Sequence, residues 1–460
     1  MSIEAAFAVP HPPLIIPEVG RGNESQVEKT IRAYERAADI IAAAAPETII
    51  ISSPHSVMYS DYFHISPGNK ASGSFSGFGA ASVRFDEEYD DELVRAVEKA
   101  AESCGIPAGT LGEKDPSLDH GTMVPLYFIR RRYSGGKIVR VGLSGLPFTE
   151  HYRLGQVIRG AVNSLGRRAV FVASGDLSHR LRDYGPYGFA PEGPEYDRRI
   201  MDVLGRGAFG ELFDFSEAFC DKAGECGHRS FVIMAGAMDG IAVKAEALSH
   251  EDVTGVGYGV CTFFPESEDR ERRFLDMYLG KRKEELEVKK AHSDPYVRLA
   301  VSSLESYISG RKRIQVPEGL PTEMYSTRAG AFVSIHKHGQ LRGCIGTIAP
   351  TQDSVAEEII ENAISASTKD PRFEPITPDE LQWLEVNVDV LGEPEEIDSP
   401  EMLDVKRYGV IVTSGNKRGL LLPDLDGVDS VEQQIDIARR KGGIGAHEKI
   451  QLRRFEVVRH

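Results

Sequence analysis

The sequence predicts an α/β N-terminal domain, with a mainly parallel sheet covered by helices on both faces, and a smaller α+β C-terminal domain. Three observations carry this prediction. Short apolar runs alternate with amphipathic stretches as far as about residue 265. A charge-dense, Gly-poor stretch over 266–292 breaks that rhythm. From 293 onward strand-like and helix-like segments mix without a βαβ repeat. At 460 residues the chain is also too long for one ordinary core, so two or three domains are expected.

In the first domain, Glu24 to Ala45 reads as a helix ending at Pro46, and Thr48 to Ile51 as a buried strand. Glu87 to Ser103 sets Leu93, Val94, Val97 and Ala101 on one helical face, with Gly105 just past its end. Lys137 to Leu143 and Ala169 to Ala173 read as further strands, with a helix over Leu154 to Leu165 between them. Ser230 to Met238 reads as a buried helix, and Gly255 to Phe264 as a closing strand. The stretch 266–292 has no continuous apolar face and reads as a solvated helical connector.

In the second domain, Tyr296 to Ile308 repeats Leu299, Ala300, Leu304 and Tyr307 at helical spacing. Ala331 to Ile335 and Leu341 to Ile345 flank His336, Lys337 and Gly339 as a hairpin would. Ser354 to Ser365 reads as a helix, and Leu384 to Leu391 alternates like a half-buried strand. Tyr408 to Thr413 and Gly419 to Leu422 form a strand pair, Val431 to Lys441 a helix, and Gln451 to Val458 a last strand.

The bulk composition narrows the function. With 41% hydrophobic and 27% charged residues the chain is of the soluble globular class. A net charge of −16 without an offsetting basic stripe weighs against nucleic-acid binding. Arg130 to Arg132 and Lys281 to Lys283 read as solvated helix faces. No run of 18 apolar residues suggests a membrane span, and the opening MSIEAAFAVPHPP lacks the pattern of a signal peptide, so a cytoplasmic location is expected. Five cysteines fit reduced thiols. The absence of CxxC, GxGxxG and Walker motifs removes the common zinc-ribbon and nucleotide-cofactor readings.

Four histidines stand where the chain turns: His11 in VPHPP, His55 in SPHS, His120 in SLDHGTM and His179 in SGDLSHR. His55 and His179 follow strands, at the sheet end where open α/β folds collect ligands. Imidazole binds metals and titrates near neutrality, so such a cluster suits a metal site that also moves protons. A ferrous iron site needs two imidazoles and a third donor on one face of the ion. His11 and His55 are the expected pair. AGECGHRS offers Glu225 as the third donor, with Cys226 beside it for a softer metal. The same donors also suit zinc, which leaves a zinc-dependent hydrolase as a third reading. Asp176 reads either as a partner for an imidazole N–H or as a cap of the following turn. His64, His151, His250 and His292 read as surface residues, and His228 as a marginal pocket member.

PHPP, SPHS, DHGTMVPLYFI and SGDLSHR together resemble the LigB family of class III extradiol ring-cleavage dioxygenases and the related Memo proteins. The resemblance covers residues 1–265. It implies Fe(II) held by His11, His55 and a later glutamate, a pocket lined by His120 and His179, and His179 as acid/base toward a small aromatic substrate. The Memo branch carries a cysteine near the position of Cys226, and its members share the fold without established ring cleavage.

The sharpest motif of the second domain is LRGCIGT, with Cys344 between Gly343 and Ile345. Cys344 reads either as a small buried hydrophobe or as a catalytic thiolate whose pKa Arg342 would lower. With GAFVSIHKHGQ, KDPRFEPITPDELQWLEVNVDVL and RGLLLPDL, the motif makes residues 293–460 similar to the AMMECR family. Memo-like and AMMECR-like proteins are two members of the AmmeMemoRadiSam system, which implies a separate radical S-adenosylmethionine enzyme as partner. Two main functional readings follow: an extradiol-type oxidation of a catechol-like substrate, or a metal-binding module that serves the radical enzyme without cleaving rings.

Overall fold

The computed structural model describes residues 3–425 and 427–460. The chain forms two compact units that divide between Leu279 and Gly280.

The central sheet of the first unit has six strands: β1 (Ile3–Val9), β2 (Thr48–Ser53), β3 (Lys137–Gly142), β4 (Ala169–Ser174), β5 (Ile241–Glu251) and β6 (Tyr258–Glu268). Their spatial order is β3-β2-β4-β1-β6-β5. The first four are parallel, and β6 and β5 each run antiparallel to their neighbour. Adjacent residues of one strand point to opposite faces. Ile50, Val139 and Phe171 therefore enter one core, with helices α2 (Asp91–Ser103), α4 (Phe148–Ser164), α5 (Glu192–Arg206) and α7 (His228–Ala237). Ile49, Ile51, Ile138 and Val170 enter the other, with α1 (Glu28–Ala44) and α3 (His120–Arg130). Both faces are covered, which is why these strands read as continuous apolar runs.

The parallel order puts the carboxyl ends of β1, β2 and β4 on one edge, where the chain runs on into His11, His55 and the Asp176–His179 loop. β1 is not among the strands expected from the sequence, although IEAAFAV is almost wholly buried. Nor is the edge strand β5, whose side chains are mostly half-exposed and lack a clean alternation. The expected closing strand is therefore internal, paired on both sides as β6. Residues 266–292 contain the end of β6, a short 3-10 turn and a helix over Phe274–His292 whose Leu275 is buried in the first unit's core. Arg130, expected on a solvated face, instead pairs with the buried Glu87 at 2.9 Å.

Asp119 begins α3. Its carboxylate accepts from the Thr122 N–H (2.9 Å) and the Ser53 hydroxyl (2.6 Å). Buried Arg140 on β3 approaches it at 3.5 Å and donates to Ser66 Oγ and the Ser117 carbonyl. An N-cap of this kind fixes where the helix starts, and hence where His120 stands.

The second unit carries two four-stranded antiparallel sheets. The first joins β7 (Ala331–Lys337), β8 (Gln340–Gly346), β9 (Leu384–Leu391) and the terminal β14 (Val457–Arg459) in the order β8-β7-β9-β14. The second joins β10 (Glu395–Ile397), β11 (Gly409–Ser414), β12 (Lys417–Leu421) and β13 (Gln451–Phe455). One face of the first sheet packs Val333, Ile335 and Val388 against helices over Pro295–Gly310 and Val355–Thr368. The single last strand expected from the sequence breaks at Glu456, so that β13 serves one sheet and β14 the other.

Glu380 ties the first sheet together. Its carboxylate accepts from Arg342 (3.0 Å to each oxygen), Lys337 (3.0 Å) and the Thr377 N–H (3.0 Å). Burial opposes its charge, but these donors outweigh it and bring its pKa from 4.5 to about 2. A depressed carboxyl stabilises above its ordinary pKa and loses that contribution as pH falls through the folded value. Glu380→Gln is predicted to cost about 2–3 kcal/mol near neutrality, with the gap to wild type closing from pH 4.5 toward pH 2. Denaturant titrations across that range check this; a gap that does not change with pH contradicts it.

Candidate metal centre

His11 is 2% exposed, just beyond β1. Its Nδ1 lies 3.0 Å from Ser174 Oγ, and that hydroxyl donates to the Gly121 carbonyl at 2.6 Å. With its only proton committed there, Ser174 accepts from His11 Nδ1–H. The tautomer follows: His11 Nε2 is a bare lone pair. It points at His55 Nε2, 3.0 Å away, and at Cys226 Sγ, 3.6 Å away. These three donor atoms all lie within 4.8 Å of one another. An outer hydrogen bond that sets the tautomer of a ligating histidine is the usual support of a protein metal site.

Two glycines bring the loops together. The chain leaves β4 at Gly175 and meets Gly227 so closely that a Cβ on Gly175 would lie 2.1 Å from the Gly227 Cα. This contact lets Cys226 Sγ accept from the Asp176 N–H at 3.3 Å. Asp176 in turn accepts the His11 N–H at 2.8 Å. Its carboxyl pKa rises to about 7 through burial, with the His11 N–H opposing and Asp197 adding to the rise. Burial, then Asp176 and Glu225, push the Cys226 thiol well above its ordinary value.

His120 and His179 flank the triad. The His120 ring stands 3.9 Å from that of His55. The pKa of His120 falls to about 4 through burial and then His55, and that of His179 falls to about 4 from the same causes. Both are neutral at pH 7. His179 Nε2 is buried without a hydrogen-bond partner among the described residues, 4.0 Å from Asp176 Oδ2. Asp176, His179 and Cys226 form a second group of donors within 4.8 Å.

The fold therefore gathers His11, His55, His120, His179 and Cys226. It does not gather Glu225, whose carboxylate caps α7 by accepting from the His228 N–H. Its pKa rises to about 7, chiefly through burial. The third donor beside the two histidines is a thiol, one residue further on. Two other histidines correct the surface reading: His64 and His151 are 1% and 0% exposed, bound to the carbonyls of Leu111 and Pro147. His250 is exposed, as expected, and pairs with Asp197 at 2.8 Å. His228 is fully buried between Tyr196 OH and the Leu212 carbonyl, so it belongs to the core. Asp176 takes neither role expected from the sequence: its carboxylate accepts the His11 backbone N–H and stands 4.0 Å from His179 Nε2, outside hydrogen-bond reach. Ser174 and Asp119 are absent from the residues the sequence singles out; only Asp119, directly ahead of an apolar helical run, carries a capping signal.

In the second unit, Cys344 lies on β8 opposite Ser334, whose hydroxyl is 3.2 Å from the sulfur. Its N–H binds Asp370 (2.8 Å), and its carbonyl accepts from Arg372 (3.3 Å). Arg342 is committed to Glu380 and the Glu374 carbonyl, so Arg372 replaces it as the cation beside Cys344.

Residues 5–261 match the family described as the catalytic LigB subunit of aromatic ring-opening dioxygenase. The chain belongs to that family. Residues 297–460 match the AMMECR1 family, so the protein is a fusion of the two domain types. A Clostridium acetobutylicum protein is 44% identical over 468 aligned positions, covering 100% of this chain and 99% of its own. A Thermotoga maritima protein is 49% identical over 168, covering 36% of this chain and 97% of its own. The solved structure of an uncharacterised Pyrococcus horikoshii protein is 31% identical, covering 36% of this chain and 88% of that one, with a TM-score of 0.34. No helix among the described residues is long and apolar enough to cross a membrane.

Ser174→Ala is predicted to release the His11 tautomer and weaken metal binding about 10- to 100-fold while the chain stays folded. Competition with a chromophoric chelator measures this. Wild-type affinity in the variant contradicts the assigned role of Ser174.

Proposed function

We propose that the N-terminal unit is a mononuclear metal centre, with Fe(II) held by His11, His55 and Cys226, for oxidation of a catechol-like aromatic substrate. The carrying observation is the convergence of the His11 lone pair, His55 Nε2 and Cys226 Sγ. The two imidazole donors fit such an ion. Two imidazole nitrogens 3.0 Å apart can share either one proton or one cation, and His179 Nε2 beside them is buried without a hydrogen-bond partner among the described residues. Bound there, ferrous iron would supply the redox path between an oxidisable ring and dioxygen.

The chain's own groups account for the rest. Neutral His179 would take the proton of a substrate hydroxyl at Nε2, with Asp176 near enough to stabilise the imidazolium. His120, packed on His55, would orient an oxygen of the bound substrate. Asp176 and Ser174 hold His11 from its backbone and its ring.

One observation favours a second reading. The third donor is a thiol where a ring-cleaving centre would use a carboxylate, and thiolates favour softer metals, zinc included. A Memo-like module serving a radical S-adenosylmethionine enzyme fits that donor set, and so does a zinc hydrolase. Fusion to the AMMECR1 domain supports the partner role.

Metal analysis of anaerobically purified protein tests the assignment. His11→Ala, His55→Ala and Cys226→Ser are each expected to lose most of the metal. His179→Gln should retain it and slow ring-fission turnover of a catechol by about 10²-fold or more. Full metal in His11→Ala overturns the ligand set. Iron-loaded wild type that is inert toward catechols, yet captures a radical enzyme, selects the second reading.

A further inference from the structure

Two aromatic side chains extend the imidazole cluster at its ends. The Phe78 ring lies edge-on to His120 with centroids 5.5 Å apart, and the Tyr187 ring stacks on His179 at 5.0 Å. Successive contacts thus run Phe78, His120, His55, His11, Cys226, His179, Tyr187. Phe78 is 42% exposed and Tyr187 61%, whereas Phe63, Phe75, Phe171 and Phe231 of the same unit are fully buried.

Neither ring sits on a loose loop. Phe78 ends a 3-10 turn closed by Gly79 N–H to the Ser76 carbonyl, and Arg21 grips the Gly79 carbonyl at 3.0 Å. Tyr187 lies in a turn closed by Gly185 N–H to the Arg182 carbonyl and Gly188 N–H to the Gly185 carbonyl. That turn is flanked by the Leu181–Phe189 bridge and held by the Arg182–Asp252 ion pair. Aromatic faces fixed in water beside neutral imidazoles gain most from covering by another flat ring, at the 4.5–7 Å centroid spacing such pairs prefer. Phe78 touches His120 and Tyr187 touches His179, so each ring borders one of the imidazoles that flank the donors.

We propose that Phe78 and Tyr187 determine specificity: they grip the ring of a flat aromatic ligand whose oxygens face His11, His55 and Cys226. The proposal rests on the metal-centre reading. Zinc-loaded protein, which binds without redox turnover, allows two probes to be compared: 4-nitrocatechol followed by absorbance, and acetohydroxamate, a chelator without a ring, followed by calorimetry. Phe78→Ala and Tyr187→Ala should each weaken 4-nitrocatechol by about fivefold or more and leave acetohydroxamate unchanged. Phe78→Tyr and Tyr187→Phe should restore it. Wild-type 4-nitrocatechol affinity in both alanine variants overturns the proposal, as does an equal loss of both probes. Wild type that binds acetohydroxamate but not 4-nitrocatechol overturns it and leaves the metal centre standing. Failure to load zinc removes both.

Discussion

The hydrogen bond between Ser174 and His11 is the constraint on which the candidate centre depends. Ser174 closes β4 and spends its proton on the Gly121 carbonyl, so its oxygen can only accept from the imidazole. That single directional fact turns His11 from an ambiguous buried ring into a donor with a fixed lone pair. It also couples three elements, because the carbonyl it uses lies in the first turn of α3, next to His120. Without it, a fully buried imidazole could satisfy itself with either tautomer and His55 would face an N–H as readily as a lone pair.

Around that bond the fold acts as a collecting device. Parallel strands place their carboxyl ends on one edge, and β1, β2 and β4 deliver His11, His55 and the Asp176–His179 loop to it. The Gly175–Gly227 approach brings in the Cys226 loop from between α6 (Glu217–Ala223) and α7. Asp119 and Arg140 fix the start of α3 and with it His120. Burial then keeps the flanking imidazoles neutral, the state in which they bind metals and accept protons.

The legible parts of the sequence are those with strong local signals. Buried parallel strands such as Thr48–Ser53 read as apolar runs, and amphipathic helices such as Asp91–Ser103 read as a single apolar face. The four clustered histidines are legible because each stands at a turn. Less visible is anything set by long-range geometry. Glu225 and Cys226 are adjacent, and only the cap that Glu225 makes on α7 decides which of them faces the site. His64, between Phe63 and Ile65, and His151, beside Glu150, owe their burial to elements distant in the chain. Ser174 carries no local signal, since its role arises from two partners 53 and 163 residues away. Arg342 is adjacent to the Cys344 motif but is drawn off by Glu380, leaving Arg372 from a separate loop beside the cysteine.

In the proposed centre two imidazoles and one thiolate surround a single ion. X-ray absorption at the metal edge of the loaded protein reads that shell directly. The expected shell has imidazole nitrogens at about 2.0–2.1 Å together with one sulfur at about 2.3 Å for zinc, the sulfur vanishing in Cys226→Ser. A shell of nitrogen and oxygen alone in the wild-type protein would contradict it.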